Sequence, residues 1–412
     1  MAEWWINIGT INQIALIAIC SLFLFQMYHY ILYMGGIIRK FGKTERITST
    51  KDAEKLTTTT NETELTRSDE EKENRGVSVI ICAKNEYYNL KDFLQVVLSQ
   101  DYPLFEVIVV NDGSEDDTQT LLEQYRNLYP TLHLTFVPQH SMVHSTKKLG
   151  LTLAVKAAQY EYLLLTDADC VPDSNQWIRQ MMRGFDKPEI EVVLGYGGYF
   201  RKPTLLNRFI QYETLTTAML YLGMAICGHP YMGVGRNLAY KKSTFFSSGG
   251  FSNMLQEKAG DDDLFINKVA TRKNTAVVVG KQSTTWSVPK ERFKDWRTQK
   301  YRHLSVAHAY RFSTKLRLTF EPLTRALWYI AIILISIYAL KGVLLPIIGW
   351  LTLGLFAGRL LTQIIIIDAT AYKLRSNMFG LSVIFFDIYF PLMQLSLLLK
   401  HSLKKEKEFK WN

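Results

Sequence analysis

The chain has 412 residues, enough for one large domain or two smaller ones, and its formal net charge is +10. Ten Lys/Arg and three Asp/Glu lie between residues 290 and 325, so most of the excess charge precedes an apolar stretch. Such a run suits anionic lipid headgroups or a pyrophosphate, with a solvated face as the plainer interpretation. No nucleic-acid-binding signature and no CxxC pair is present, which argues against a nucleic-acid partner, a disulfide framework and a zinc site.

The first predicted element is a membrane anchor. Residues 11–38 are nearly all apolar, and this stretch is longer than the roughly 20 residues that span a bilayer. The residues before it include no basic side chain, whereas a cleaved signal peptide would begin with positive charge. Basic residues follow from Arg39 to Arg46, which by the positive-inside rule places the next domain in the cytoplasm. We therefore predict an anchor over residues 1–43.

The segment that follows changes from polar to globular in character. Residues 44–75 are polar and offer too little apolar surface to repay ordering, which predicts a flexible linker. From Val77 onwards, short apolar runs predict strands at 77–82, 105–110, 132–137 and 162–166. Helical patterns lie between them, at 90–100, from 116 onwards and at 149–159. Because strand and helix alternate, we predict an α/β fold with a doubly wound, mostly parallel sheet within residues 76–289.

The apolar pattern returns after residue 325. Residues 326–340 and 343–367 predict two spanning helices, and residues 379–399 form a third apolar stretch. A basic tail follows the third stretch, so a third span would leave that tail outside the cell. The third stretch is therefore either re-entrant or interfacial, or the positive-inside rule fails here. We predict that residues 326–412 comprise membrane segments and the tail.

Three acidic clusters lie where a ligand site is expected. Asp112 follows the second predicted strand, Asp167 and Asp169 follow the fourth, and residues 261–263 are three aspartates at a predicted helix start. Ligands of open parallel sheets bind beyond the carboxyl ends of the strands, and two carboxylates two residues apart can hold a hard cation. Turn chemistry, a solvated turn and helix capping are the plainer interpretations. Capping needs one carboxylate, so one of the three aspartates is a candidate general base.

In their order along the chain these clusters resemble the family 2 glycosyltransferases of the GT-A fold. The resemblance covers roughly residues 77–305 and rests on residues 77–86, 111–114, 167–169 and 260–263. It implies a GT-A sheet with flanking transmembrane helices. It also implies that the nucleotide-sugar site is formed by Glu86, Asp112, Lys147 and Asp167.

The same resemblance assigns a metal ligand and a base. It implies that Asp169 binds Mg2+ or Mn2+. The base of the family is the Asp of a Glu-Asp or Asp-Asp pair, and three aspartates in a row blur the register here. We expect Asp262 to be the base, with Asp261 as the second choice.

A further pattern lies in the basic segment, which we predict to form interfacial helices over residues 290–325. Gln299, Arg302 and His303 resemble the Gln-x-x-Arg-Trp motif of membrane-embedded family 2 synthases, which implies that the arginine faces a pyrophosphate and that the last position contacts the acceptor. His303 replaces the tryptophan, which favours single sugar addition over processive synthesis. An amphipathic interfacial helix without such a role is the structural alternative.

Together these features predict an inverting glycosyltransferase of the cell (inner) membrane, multi-pass, with its catalytic domain in the cytoplasm. The expected partners are a nucleotide-diphospho-sugar, a lipid-linked or glycan acceptor, and membrane lipids. A processive polysaccharide synthase is the alternative within this class. A nucleotidyltransferase and a non-enzymatic membrane scaffold are the alternatives from other classes. The first of these would want a Gly-rich phosphate loop after the first strand, and none is present there.

Overall fold

The computed structural model describes residues 9–41, 75–138, 145–254 and 259–403. Except for Arg75, the predicted linker therefore lies outside the described residues, as does the basic tail after residue 403. The described chain consists of an α/β domain and a bundle of long apolar helices.

Two sheets form the α/β domain. The larger has seven strands in the order β3-β2-β1-β4-β8-β6-β9, and a smaller sheet has the order β5-β10-β7. The strands are β1 (Val77–Ala83), β2 (Phe105–Asn111), β3 (Leu132–Phe136), β4 (Tyr162–Asp167), β5 (Cys170–Pro172), β6 (Val192–Leu194), β7 (Gly197–Tyr199), β8 (Leu238–Lys241), β9 (Thr275–Val277) and β10 (Thr285–Ser287).

Helices cover both faces of the large sheet and form the membrane bundle. They are α1 (Thr10–His29), α2 (Tyr87–Leu98), α3 (Thr118–Leu128), α4 (Thr146–Ala157), α5 (Trp177–Met182), α6 (Leu205–Ile226), α7 (Lys242–Ser247), α8 (Asp263–Val269), α9 (Phe293–Ser305), α10 (Phe312–Leu340), α11 (Pro346–Lys373) and α12 (Val383–Leu403). A π-helical turn, Tyr30–Met34, extends α1.

The first half of the large sheet is parallel, and its strands end at one level. In the pairing register Ala83 lies beside Asn111, and Cys82 lies beside Asp167. The residues that follow β1, β2 and β4 therefore meet at one edge. The predicted mostly parallel, doubly wound sheet is confirmed, although β8 runs antiparallel to both β4 and β6.

The predicted helices differ from the observed ones at their starts. The helix expected at 149–159 begins at Thr146, because the Ser145 hydroxyl accepts a hydrogen bond from the Lys148 N–H at 3.4 Å and caps the helix there. The helix expected at 90–100 is α2, which begins at Tyr87. Polar first turns conceal such starts from a search for apolar periodicity.

Within the described ranges, four helices are long and apolar enough to cross a membrane. They are Thr10–Met34, Phe312–Leu340, Pro346–Lys373 and Gly380–Leu397. Their outward apolar side chains are uncovered: Ile14 is 62% exposed and Ile333 is 57% exposed. An extended surface of this kind fits lipid better than water. The predicted boundary between residues 325 and 326 falls inside α10, because the basic segment and the apolar span share one continuous helix.

A polar cluster joins these helices in their interior. The Asp387 carboxylate of α12 accepts hydrogen bonds from Arg359 Nη1 at 2.9 Å, from Arg325 Nη1 at 3.0 Å and from the Tyr329 hydroxyl at 2.6 Å. Arg359 also donates to Gln26 Oε1 of α1 at 2.9 Å. Because these partners come from α1, α10 and α11, Asp387 ties α12 to the other three helices. The third apolar stretch of the sequence is therefore part of the bundle.

The α/β domain packs against one end of this bundle, the end at which α1 terminates. A Cβ atom placed at Gly36 would lie 2.8 Å from Gly223 Cα of α6, so the two backbones touch there. The Tyr212 ring of α6 stacks on Phe386 of α12 at 4.4 Å between centroids. Arg375, in the turn between α11 and α12, pairs with Asp173 at 2.8 Å. That turn and the domain therefore lie on the same side of the bundle.

Asp387→Asn should destabilise the protein strongly, because two buried guanidinium groups lose their shared counter-charge. We expect a loss of about 3–5 kcal/mol in the free energy of unfolding. The measurement is unfolding of the purified protein in detergent, followed by tryptophan fluorescence. Ser396→Ala on the same helix is the control and should stay within about 0.5 kcal/mol of the native protein. Equal losses in both variants would show that the ionic cluster does not hold α12.

Candidate active site

The loops after β1 and β2 are joined by hydrogen bonds at the carboxyl edge of the sheet. Asn85 adopts a left-handed conformation with φ of 56°, which asparagine tolerates better than most residues. Its N–H donates to the Ser114 hydroxyl at 2.9 Å, and its side-chain oxygen accepts from the Glu115 N–H at 2.8 Å. This arrangement places the next residue, Glu86, at the mouth of the site. Asn85 was not singled out from the sequence, since a φ value leaves no sequence pattern.

Glu86 and Asp112 lie at different depths. Glu86 accepts a hydrogen bond from Asn89 Nδ2 at 2.5 Å, lines the main cavity, and has its pKa raised to about 7, chiefly by burial. Asp112 is only 5% exposed and is absent from the lining of that cavity. Its carboxylate accepts from the Thr146 hydroxyl at 2.7 Å, and burial raises its pKa. Thr146 is the residue that lines the cavity at this point.

Two carboxylates follow β4 and could hold a cation. Asp167, Asp169 and Cys170 each offer a ligand atom within 4.8 Å of the others. Burial and then the neighbouring Asp167 raise the pKa of Asp169, so a cation between the two carboxylates would relieve their repulsion. The Cys170 thiol lies 2.8 Å from the Ser287 hydroxyl, and burial raises its pKa well above the ordinary value. The oxygen pair therefore fits a hard divalent ion, whereas the protonated thiol does not.

Lys147 joins this pair to the third acidic cluster. Its Nζ lies 3.2 Å from Asp167 Oδ1 and 3.1 Å from Asp261 Oδ2. Burial acts to lower the pKa of Lys147, but Asp167, Asp261 and Asp262 outweigh it and hold that pKa well above its ordinary value. Burial acts to raise the pKa of Asp261, and Lys147 reverses this, so that pKa is lowered. Lys147 is thus a fixed cation within the cluster.

The three consecutive aspartates have three different sets of partners. Asp261 pairs with Lys147, as described above. Asp262 accepts from the Gly235 N–H at 2.7 Å and from the Asp263 N–H at 2.8 Å. Asp263 turns the other way, where it accepts from the Tyr310 hydroxyl at 2.9 Å and from the Leu264 N–H at 2.8 Å. Burial, followed by the adjacent Asp261, raises the pKa of Asp262 to about 6.

Gly235 lies between the second and third acidic clusters. A Cβ atom built at Gly235 would lie 3.5 Å from Asp262 Oδ2 and 3.8 Å from Asp167 Oδ1. Only a residue without a side chain leaves this space open. The geometry therefore places Asp262 beside Asp167, with room for a reacting group between them.

The residues of the Gln-x-x-Arg-like segment lie on α9 and reach the same cavity. Gln299 Nε2 donates to the Tyr199 hydroxyl at 3.2 Å, and both Arg302 and His303 line the cavity. Desolvation by the surrounding cavity, followed by the cations of Lys300 and Arg302, holds the pKa of His303 well below its ordinary value, although the side chain is exposed to the cavity. His303 is therefore a neutral imidazole at neutral pH, able to exchange hydrogen bonds with a bound molecule.

Arg236 is a site residue that was not assigned from the sequence. Its guanidinium lies over the Tyr199 ring, 4.5 Å from the centroid, and it is one of the cations that act on Asp169. The adjacent Gly235 lies in a segment whose glycines could simply form turns, so the sequence around it does not single out Arg236. The half-buried position of Arg236 comes from the antiparallel strand β8 that follows it, which sequence spacing does not indicate.

One cavity of about 1750 Å³ collects these groups. Of the residues predicted from the sequence, nine line it: Glu86, Lys147, Asp167, Asp169, Asp261, Asp262, Gln299, Arg302 and His303. Asp112 is the exception and acts at one remove through Thr146. The cavity extends from the sheet edge to residues of α1, α10 and α12.

Among solved structures, the chain resembles a mannosyltransferase, PcManGT from Pyrobaculum calidifontis, in complex with GDP-Man and Mn2+. The TM-score is 0.51 at 19% sequence identity, covering 81% of this chain and 89% of that chain. At this identity the likeness concerns the fold alone. A parallel sheet with acidic residues at its carboxyl edge, together with this likeness, defines the α/β unit as a GT-A domain attached to apolar helices.

Residues 78–251, less than half of the chain, match the sequence model of Glycosyl transferase family 2. A poly-beta-1,6-N-acetyl-D-glucosamine synthase of Staphylococcus epidermidis is 31% identical over 143 residues, which are 34% of this chain and 33% of that protein. Glycosyltransferase AglE of Haloferax volcanii is 30% identical over 121 residues, which are 29% of this chain and 38% of that protein. The chain thus spans about a third of the length of these relatives. The predicted fold class and family resemblance are confirmed.

Lys147→Met should weaken nucleotide binding by about tenfold or more, because the unneutralised Asp167 and Asp261 would then repel an anionic ligand. Calorimetry of UDP or GDP with Mn2+, using whichever nucleotide the native protein binds, gives the affinity. Lys156→Met is the matched control, since Lys156 is exposed on the same helix. An unchanged affinity in Lys147→Met would remove Lys147 from the nucleotide site.

Proposed function

We propose that this chain is an inverting glycosyltransferase that moves a sugar from a nucleotide-diphospho-sugar to a hydroxyl of a membrane-associated acceptor. One observation carries the proposal. A single cavity holds a carboxylate pair suited to a cation, a carboxylate suited to be a base and a passage to the membrane helices. A nucleotidyltransferase or a scaffold has no such observation in its favour, and the family 2 domain speaks against both.

The donor would bind at the carboxyl edge of the sheet. Glu86 and the Asp112–Thr146 pair would hold the nucleoside, and Lys147 and Arg302 would face the diphosphate. Asp169, next to Asp167, would hold Mg2+ or Mn2+, which when bound neutralises negative charge on the leaving diphosphate. The Mn2+ of the PcManGT complex supports this choice of ion.

The acceptor would approach from the side of α9. The Asp262 carboxylate removes the proton from the acceptor hydroxyl as that oxygen attacks the anomeric carbon, on the face opposite to the leaving diphosphate. Its two backbone donors, from Gly235 and Asp263, fix the orientation of the carboxylate. A pKa raised towards neutrality makes Asp262 a stronger base while leaving it mostly ionised at pH 7. His303, as a neutral imidazole, would exchange a hydrogen bond with the acceptor.

Processive polysaccharide synthesis is the second candidate function. A relative named poly-beta-1,6-N-acetyl-D-glucosamine synthase and the continuation of the cavity towards the membrane helices favour it. His303 in place of a stacking tryptophan favours single addition. The length of the products distinguishes processive synthesis from single addition. Long glycans made during one binding event support processive synthesis, and products that carry one added sugar exclude it.

The proposed location is the cell (inner) membrane, with the GT-A domain in the cytoplasm. Arg39 follows the first span and Arg375 lies in the turn that contacts the domain, so positive charge gathers on the domain side. A cysteine introduced at Val343, between α10 and α11, should react with an impermeant maleimide added to spheroplasts. Reaction only after permeabilisation would show that the orientation is opposite to the one proposed.

The primary test is a panel of nucleotide sugars offered to the full chain in lipid nanodiscs, with released nucleotide as the readout. We expect turnover with one donor class in Mn2+ or Mg2+ and loss of turnover with EDTA. Asp169→Asn should lower metal-dependent nucleotide affinity by about tenfold or more, since an amide is a poor partner for a hard cation. Full turnover in EDTA, or native affinity in Asp169→Asn, contradicts the metal assignment.

Asp262→Asn should lower turnover by about a hundredfold or more and leave donor affinity nearly unchanged, because a general base acts only on the acceptor proton. Asn also caps helices well, so α8 should keep its stability in this variant. A loss of turnover without a loss of stability would therefore identify Asp262 as a base and not only as a helix cap. Asp261→Asn is measured beside it. If only Asp261→Asn is inactive with donor bound, the base is Asp261; if both variants keep native turnover, the proposed mechanism is wrong.

The same base predicts a pH dependence. Asp262 must be ionised to accept a proton, so kcat/KM should rise with pH through a midpoint near 6. Asp261 is a like charge that contributes to this raised pKa. In Asp261→Asn, if active, the midpoint should therefore move to lower pH. A midpoint that moves upward would contradict the assignment.

A further inference from the structure

The main cavity does not end at the reacting groups. It continues between the inner end of α1, α6, α10 and α12, where Tyr30, Glu321, Arg325 and Phe390 line it. Aromatic and aliphatic side chains form most of this portion of the wall, including Phe386. A molecule that extends from the reaction site towards the membrane would pass these residues.

Among the described residues, Glu213 and Glu321 both line this portion of the wall and both have a carboxylate oxygen without a hydrogen-bond partner. The oxygen of Glu213 forms an ion pair with Lys300, whereas that of Glu321 has no such pair among these residues. The Oε2 of Glu321 accepts from Arg325 Nη2 at 2.8 Å. Its Oε1 is buried and has no hydrogen-bond partner among the described residues, although the residue is only 9% exposed. Burying an unpaired carboxylate oxygen is costly, so a donor supplied by a ligand would stabilise this position.

The same helix offers a second acceptor close by. Pro322 lies inside α10 and has no N–H, so the Leu318 carbonyl lacks its usual helical partner. Leu318, Glu321 and Pro322 all line the cavity. The Leu318 carbonyl and the Glu321 carboxylate are adjacent acceptors, and together they suit a ligand that carries several hydrogen-bond donors.

The surrounding charges indicate that this ligand is uncharged. Arg325 and Arg359 are balanced by Asp387 and Glu321, and Asp387 already receives donors from both arginines. An anionic headgroup at this place would face Glu321 Oε1 and be repelled, whereas a hydroxyl would donate to it. Arg317 lines the cavity one helical turn away, where a phosphate would bind instead.

We propose that Glu321 and the Leu318 carbonyl form a subsite for the hydroxyls of an uncharged sugar unit of the acceptor. The rings of Tyr30 and Phe390 provide apolar surfaces for the faces of that sugar. This inference rests on the proposed function and narrows it, because it makes the membrane side of the acceptor a glycosyl group and not a phosphate.

Binding of two probes to the full chain in nanodiscs tests the subsite. Dodecyl β-D-glucoside carries hydroxyls, and dodecyl phosphate carries an anionic headgroup on the same tail. Glu321→Gln should weaken glucoside binding by about tenfold, since a hydrogen bond to a charged oxygen is lost, and should not weaken phosphate binding. Glu291→Gln is the matched control, because Glu291 is exposed and outside this cavity. It should change neither affinity.

Pro322→Ala provides a second variant in case Glu321→Gln fails to fold. It restores the donor for Leu318 without loss of helix stability, and should weaken glucoside binding about threefold. Equal glucoside affinity in the native protein and the variants, or a loss of phosphate affinity in Glu321→Gln, overturns the inference. Nucleotide-sugar turnover is measured in the same nanodiscs. If the enzyme turns over but neither variant changes glucoside binding, only the subsite is wrong. If no donor gives turnover, the proposed function is wrong.

Discussion

The cation of Lys147 allows three carboxylates to share one wall of the cavity. Asp167 and Asp261 both pair with it, and Asp262 lies close enough to contribute to its raised pKa. Without this charge, the acidic residues after β4 and those before α8 would repel one another. The lysine belongs to α4, so the packing of that helix on the sheet determines where the acids can meet. The geometry of the candidate base and of the metal pair both depend on this one ion pair network.

The membrane helices solve a similar problem with the charges reversed. Two arginines lie between helices, and Asp387 neutralises them while joining α12 to α1, α10 and α11. Glu321 completes the balance but keeps one oxygen free, at the point where the bundle and the cavity meet. Structural and ligand-binding roles are therefore divided between two carboxylates that share Arg325.

Much of the fold was predictable because local signals agree with it. The runs that form β1 and β2 are apolar and rich in β-branched residues, and those that form β3 and β4 are rich in leucine. The predicted strands match the observed ones within one residue. The clusters at the strand ends follow from the same pattern, since parallel strands end at one edge. Fold class and family could thus be read from the sequence, while the exact domain limits stay predictions.

What could not be predicted depends on contacts between distant residues. Three identical aspartates carry no register, and their roles differ only because Lys147, Gly235 and Tyr310 approach from elsewhere. The arginine partners of Asp387 lie on other helices, so its role in joining the bundle leaves no local sequence signal. The start of α10 was placed too late because a helix continues through a change from basic to apolar composition. The hydrogen bond by which Thr146 links Asp112 to the cavity likewise joins residues far apart in the sequence, so the part played by Thr146 could not be predicted.

The contact between Gly36 and Gly223 has a mechanical consequence. Because the domain backbone at Gly223 touches the chain at Gly36, the domain cannot tilt or move away from the apolar helices unless this contact breaks. The height of the candidate active-site carboxylates above the apolar helices is then set by this contact and not by the length of chain that leads from the first helix into the domain. Insertions between residues 42 and 74 would leave that height unchanged, whereas a single added methyl group at Gly36 or Gly223 would alter it. These two glycines would thus determine how far the active-site residues lie from the apolar helices.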